Sequence, residues 1–443
     1  MRENERIALA RRTLELAGDG LVEAIVVDED DGLTRFTQNA IHQNVAHRAT
    51  SLRLRIVRDG RSGVVETNDL GDDGLRAAAA RAEEIVALAP RDPEFPGLAT
   101  AVDVAIPTGA FVTATAEASP VDRARIAADA IAASERAGLW AAGYVRTGRS
   151  GVTIANSGGA LLSYDGTTCG LNVKSNGADA SGYAEYFSTD VATLDGAASG
   201  SRAAEKARSG ANPVPVEPGL WTVILEPAAF GELLSNITEQ FSAQSYDEGS
   251  SFLCDGLDRS YAGERVSIAD DFAHPLLQGM PFDYQGEPTR RVELLAHGVA
   301  RNVVTDARWA KRLDRPNTGH GGPAPDAVGP QVRHVVVAPG SRSLDELIAE
   351  TERGLLVSRF WYIRPVDGRK TIVTGMTRDG TFLIEGGKIT RGVRNLRFNQ
   401  SILEALTDAE FGDTAERTEG YAYLAVVPAV KIRQFHFTSV TDF

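Results

Sequence analysis

The sequence predicts an α+β protein with two N-terminal helix-plus-sheet units and a C-terminal domain built on a mainly antiparallel β-sheet. Three observations lead to this. The stretch Gly354–Arg391 reads as a strand meander, with β-rich runs at Val357–Arg364, Thr371–Met376 and Thr381–Ile384 separated by Pro365-Val366-Asp367-Gly368, Arg378-Asp379-Gly380 and Glu385-Gly386-Gly387-Lys388. Asp-Gly and Gly-Gly between β-branched runs are strong hairpin cues. The N-terminal part runs twice through a helix-and-strands pattern, with a linker holding four prolines between Pro90 and Pro107. The segment Asn212-Pro213-Val214-Pro215-Val216-Glu217-Pro218-Gly219 then marks the clearest boundary in the chain. Units are therefore expected at residues 1–107, 108–212 and 213–443, because a chain of this length exceeds what one core sustains.

Taken in order, residues 3–17 carry apolar positions at Ile7, Leu9, Ala10, Leu14 and Leu16, which predicts a helix. Leu21–Val27 is a short apolar strand, and Thr34–Ala46 alternates apolar and polar residues. Ser51–Val57 and Ser62–Thr67 flank Asp59-Gly60 as a hairpin. Asp72-Asp73 caps a helix to Leu88 with Leu75, Ala78, Ala79, Ala82, Ile85 and Val86 on one stripe. In the second unit a helix starts at Ser119-Pro120 and ends near Gly138. Strands follow over Trp140–Tyr164, Cys169–Val173 and Tyr183–Val191, then a small-residue helix over Gly196–Ser209. The last unit opens with a strand, Trp221–Leu225, and a helix from Pro227 to about Gln244. Short strands are expected within Pro275–Val304, a loop over Pro316–Pro330, a strand at Arg333–Ala338 and a helix at Ser343–Glu352. After the meander, Tyr421–Val427 and Ala429–Thr438 close the domain.

Composition narrows the function. The chain is 43% hydrophobic and 24% charged, as expected of a globular protein. A formal charge of −14 argues against a general nucleic-acid or membrane-surface binder, since phosphate binding rests on Lys and Arg. No apolar run is long enough to span a bilayer. The first residues form a charged amphipathic helix without a signal-peptide h-region, so a cytoplasmic protein is expected. Two cysteines, Cys169 and Cys254, exclude a disulfide framework and a cysteine-rich zinc site. None of the seven histidines pairs with another at helical ligand spacing. His42 and His47 lie five apart in a strand and face opposite ways. No Gly-X-Ser-X-Gly elbow occurs.

Three segments together resemble the TldD/PmbA family, peptidases also known as modulators of DNA gyrase. They are Phe282-Asp283-Tyr284-Gln285-Gly286-Glu287-Pro288-Thr289-Arg290-Arg291 (similar to FDxEGxPTRR), Asn317-Thr318-Gly319-His320-Gly321-Gly322, and the meander itself. In the zinc-bearing branch the helix after Trp221 resembles G-x-L-L-H-E-x-x-x-H. Here Ser235 and Gln240 stand at the two ligand positions and Asn236 at the general-base position. Ser and Gln are not usual zinc ligands, and Asn cannot take a proton from water. No cysteine follows Cys254, where the family has its third ligand.

The resemblance therefore implies the TldE/PmbA-type branch. That means a subunit with no catalytic residue, metal or cofactor of its own, whose TldD-like partner carries zinc. The pair would form a heterodimeric metallopeptidase acting on short or unfolded peptides, or on an amide in a small-molecule pathway. A homodimer is the other assembly expected. Arginine binds carboxylates through a planar fork, so Arg291, His320, Arg359, Arg364 and Arg378 are the substrate-cleft candidates. A solvated sheet edge explains the same charges, and a turn histidine bonded to backbone explains His320. Two other readings stay open: a metal-independent autonomous hydrolase around His320 and the arginines, and a non-enzymatic regulator of a topoisomerase.

Overall fold

The computed structural model describes residues 1–419 and 424–441. Strands β1 (Leu21–Thr37), β2 (Ala40–Arg58), β3 (Arg61–Thr67), β4 (Trp140–Asn156), β5 (Leu161–Asn176) and β6 (Ser181–Ser188) form one antiparallel sheet in the order β3-β2-β1-β4-β5-β6. The two N-terminal units thus meet edge to edge through β1 and β4. Where three shorter segments were expected, over Leu21–Val27, Thr34–Ala46 and Ser51–Val57, β1 and β2 are one long hairpin whose turn falls inside the second. Its turn residues Gln38 and Asn39 both have positive φ (48° and 60°), the backbone of a tight hairpin turn.

Helices Glu3–Ala17 and Asp72–Leu88 cover β1–β3 over a core of Val22, Ala24, Leu52, Leu54, Leu75 and Ala82. Helices Pro120–Arg136 and Gly196–Ser209 pack over Phe36, Val145, Leu171 and Val173. The second of these lies so close to β6 that a Cβ on Gly182 would meet Ala203 O at 2.2 Å. Only glycine fits there, and the close approach sets the height of β6 below the helix.

The second sheet contains β7 (Gly219–Leu225), β8 (Ile268–Asp270), β9 (Val292–Ala296), β10 (Val299–Ala300), β11 (His334–Val337), β12 (Arg353–Asp367), β13 (Ile372–Glu385), β14 (Lys388–Gly392), β15 (Leu396–Ser401), β16 (Glu410–Glu419) and β17 (Leu424–Val440). It is mixed: β12 with β7 and β11 with β17 are parallel, and the other pairs are antiparallel. Strands β17, β15, β13, β12 and β7 close on themselves, since β7 pairs both β12 and β17. Closure removes free edges. Phe360, Phe398, Phe435 and Phe437 are fully buried, with ring centroids 4.7–5.8 Å apart along the cluster. Each such pair adds about 0.5–1.5 kcal/mol beyond burial.

Two expectations are corrected here. The segment Arg378-Asp379-Gly380 is not a turn; β13 runs straight through it. Asp379 (φ 55°) and Gly380 (φ 134°) form a local irregularity opposite a register shift between Val357 and Arg359. The helix from Pro227 ends at Leu234 rather than near Gln244, and continues as a 3₁₀ turn over Ser235–Phe241 and a short helix, Ala243–Asp247. Of the strand expected over Tyr421–Val427, residues 421–423 lie outside the described residues. From Leu424 the chain is one strand to Val440. Among the described residues no helix is long and apolar enough to cross a membrane.

Candidate functional site

Helix Pro227–Leu234 starts with proline in its first turn and buries Phe230, Leu233 and Leu234 against the closed sheet. Its break follows from three polar side chains in the next turn. Ser235 Oγ donates to Glu232 O at 2.7 Å, Asn236 Nδ2 donates to the same carbonyl at 3.0 Å, and Thr238 Oγ1 donates to Ser235 O at 3.0 Å. Short polar side chains that bond back to carbonyls compete with the helical ladder. In a 3₁₀ turn, with three residues per turn, positions five apart point about 120° away from each other. Ser235 and Gln240 therefore do not share a face. Ser235 and Asn236 spend their polar atoms on the preceding turn, and Gln240 lies beneath the β12–β13 hairpin, with Nε2 beside Gly368. Hydroxyl and carboxamide groups held in this way do not fit a zinc ion. Among the described residues, no group of three or more His, Cys, Asp or Glu is placed to hold a metal.

One turn before Ser235, Glu232 enters a polar cluster where the two sheets meet. Arg359 Nη2 donates to Glu232 Oε1 at 3.1 Å, and the Phe360 backbone N–H donates to Oε2 at 2.7 Å. The Arg359 guanidinium lies 4.3 Å over the Tyr183 ring and 3.8 Å from Asp379. Tyr183 Oη donates to Glu185 at 2.5 Å; the two residues are two apart on β6 and share a face. Asp379 accepts from Ser181 Oγ at 2.6 Å and pairs with Lys174 at 2.7 Å. Toward solvent, Trp361 is 44% exposed and sits between two guanidiniums, Arg359 at 5.4 Å and Arg378 at 4.7 Å. Cation–π contacts of this kind hold an aromatic platform in place. The arrangement is a buried ion network around Arg359, whose side chain is 15% exposed, with Trp361 and Arg378 on its solvent side, suited to carboxylates and flat amide groups.

Burial pushes the Glu232 carboxyl up to about 7; Arg359 opposes this and Glu185 adds to it. Burial also raises Glu185, against the hydrogen bond from Tyr183 and the charge of Arg359. Burial alone would weaken the Arg359 proton, but Glu232, Tyr183, Asp379 and Glu185 hold it above its ordinary range. The Glu232 side chain keeps 34% of its surface accessible, so solvent protons reach it. Because its folded value lies above its ordinary 4.5, Glu232 favours the folded state fully below pH 4.5. That contribution is lost as the pH rises through about 7. Urea unfolding measured across this window should show stability falling with pH, and Glu232→Gln should flatten the fall.

Of the residues singled out in the sequence, Arg359 and Arg378 join this cluster. Arg364 lies farther along β12, exposed, 4.4 Å over the Tyr362 ring. Arg291 pairs with Asp271 at 3.3 Å on another face of the domain and is 58% exposed. His320 is 1% exposed. Its Nδ1 lies 2.9 Å from Thr318 O, and its Nε2 lies 3.3 Å from Asp270 Oδ1, which His334 Nδ1 approaches at 3.7 Å. Burial opposes ionisation of Asp270, but His320 and then His334 hold it well below the usual carboxylate range. Among the described residues no hydrogen bond or ion pair joins His320 to the Arg359 cluster. Glu232, Tyr183, Glu185 and Trp361 were missed, and Asp379 was read only as a turn residue. The only signal available was Glu232 three residues before a ligand position, on the helix already singled out.

Residues 218–439 match the profile of the PmbA/TldA metallopeptidase C-terminal domain, and residues 22–86 match that of PmbA/TldA metallopeptidase domain 1. No curated protein matches the sequence. Among solved structures, TldE from Thermococcus kodakarensis superposes with a TM-score of 0.88 at 21% identity, covering 98% of this chain and 99% of that one. A protein described as a modulator of a DNA gyrase from Thermotoga maritima MSB8 superposes at 0.87 with 18% identity, over 97% and 99% of the two chains. A similarly described protein from Bacteroides thetaiotaomicron VPI-5482 superposes at 0.83 with 19% identity, over 99% and 100%.

Proposed function

The chain belongs to the PmbA/TldD metallopeptidase family, and on that premise we propose that it is the zinc-free, TldE-type subunit of a two-chain cytoplasmic peptidase. A TldD-like homologue supplies the zinc and the general base. This chain supplies part of the channel that holds a short or unfolded peptide, or a small-molecule amide. The observation that carries the reading is the state of Ser235, Asn236 and Gln240. All three stand where metal ligands and base would stand, yet the first two bond the preceding turn and the third is tucked under a hairpin.

In this role the chain's own residues position substrate. The Arg378–Trp361–Arg359 face offers guanidinium forks and a flat ring to a peptide carboxylate and its amides. Glu232 and Asp379 fix Arg359 from behind, so the fork keeps one orientation.

Two outcomes follow. Elemental analysis of the chain, purified without a metal-affinity tag, should find far less than one zinc per chain; stoichiometric zinc would remove the assignment. The assembly should be two-fold-like and use the C-terminal domain, since a homologue can replace one copy of a symmetric pair. Light scattering should then find a dimer with the homologue, and a monomer under all conditions would count against it.

A further inference from the structure

A cavity of about 490 Å³ lies between the N-terminal sheet and the C-terminal domain, away from the Arg359 cluster. Its walls come from β1–β3, the linker after helix Asp72–Leu88, and the loops around Gln285, Asp306 and Ala324. That volume suits a small ligand.

Most polar groups in the walls are already satisfied. Asp306 accepts from Trp309 N at 2.8 Å and from Gln285 Nε2 at 3.1 Å. Asp326 accepts from the backbone of Gly322, Val328 and Gly329. Arg308 is paired with Asp92.

Three groups are the exception. Glu23 is 3% exposed, and among the described residues no hydrogen bond or ion pair reaches its carboxylate. Arg55 is its register partner on β2. Its guanidinium has no carboxylate at ion-pair distance, its Nε is buried without a partner, and its contacts are Ser62 Oγ at 3.4 Å and the Phe95 ring at 4.9 Å. Glu287, half-buried in the same wall, offers a further carboxylate with no donor. An unmet acid and an unmet guanidinium side by side in one cavity cost free energy unless something fills both.

We propose that this cavity binds a small zwitterion of amino-acid or dipeptide size, its ammonium group on Glu23 and Glu287 and its carboxylate on Arg55. The fit is one of charge and number: an ammonium carries three donors for two carboxylates, and a carboxylate accepts the guanidinium fork. Burial pushes Glu23 up to about 7, against the charge of Arg55 and with that of Asp283, and a bound ammonium would draw it back toward ionisation. The site lies between the N-terminal sheet and loops of the C-terminal domain, so the bound molecule would also tie the two together.

The inference does not rest on the subunit role proposed above, and its test needs neither partner nor turnover. The full chain is dialysed to equilibrium against an equimolar mixture of the standard amino acids and their glycyl dipeptides, read by mass spectrometry. At least one zwitterion should be enriched with the protein. N-acetylation or C-terminal amidation of that compound should each weaken its binding at least tenfold, as should Glu23→Gln and Arg55→Gln. Val64→Phe, at the β3 position beside Arg55, fills the cavity while leaving both charged groups in the chain, and should do the same. If the charge variants fail to fold, the blocked compounds on the unaltered protein and Val64→Phe still decide. No enrichment, or binding indifferent to blocking and to cavity filling, overturns the proposal.

Discussion

Replacing Arg359 by Ala should cost about 3 kcal/mol of unfolding free energy, read from urea denaturation at neutral pH. The estimate takes the lower end of the roughly 3–5 kcal/mol expected when one partner of a buried pair is removed, because Glu232 keeps some access to water. The loss is large because Arg359 serves several groups at once. It bonds Glu232, neighbours Asp379, and covers the Tyr183 and Trp361 rings. Without it, Glu232 and Glu185 face each other in the cleft with no cation between them. A pH series separates this account from simple loss of packing. The variant should recover part of its stability as the pH falls, because Glu232, without the guanidinium that holds its carboxyl down, takes up its proton more readily than in the unaltered chain. A loss independent of pH would mean that the guanidinium acts only as filler.

Arg378 is the more informative change for function. It is 38% exposed and, unlike Arg359, holds little of the fold together; its contacts are the Trp361 ring and a 3.9 Å approach to Asp379. In a reconstituted pair with a zinc-bearing homologue, Arg378→Ala should lower kcat/KM about tenfold or more. A charge-assisted hydrogen bond of about 1.5–3 kcal/mol corresponds to that factor. Trp361→Ala should fall in the same range, with dimerisation and the homologue's zinc content unchanged. Arg291→Ala removes an exposed pair with Asp271 and should leave kcat/KM within about twofold, as surface pairs contribute little. Full activity in both Arg378→Ala and Trp361→Ala would return these charges to a solvated sheet edge.

Much of the architecture was legible because strand period and turn chemistry are local. Asp59-Gly60 between two β-rich runs is a hairpin in the structure, and Ser119-Pro120 caps its helix by a reciprocal box with Asp122. The failures have equally local causes. Apolar spacing at Phe230, Leu233, Leu234, Ile237 and Phe241 continues past Leu234, so periodicity alone extends the helix; the back-bonding of Ser235, Asn236 and Thr238 ends it. Arg378-Asp379-Gly380 has turn chemistry, but β12 pairs on both sides of it, and the strand absorbs the residues as an irregularity. The cluster was half legible. Its two arginines stood out as charges in a strand region, whereas Glu232 was brought to them by the packing of helix Pro227–Leu234 on β12, and Tyr183 and Glu185 by the meeting of β6 with β12, contacts between residues far apart in sequence. His320 stood out by its Gly-rich loop, and the same loop buries it against Asp270.

The central claim is that this chain is the zinc-free half of a peptidase. The most direct test measures hydrolysis of an unstructured peptide by the chain alone, by the zinc-bearing homologue alone, and by their equimolar mixture at fixed zinc. The account predicts no turnover by this chain, and turnover by the mixture well above that of the homologue. Turnover by this chain without added metal, or a mixture no more active than the homologue, would contradict it.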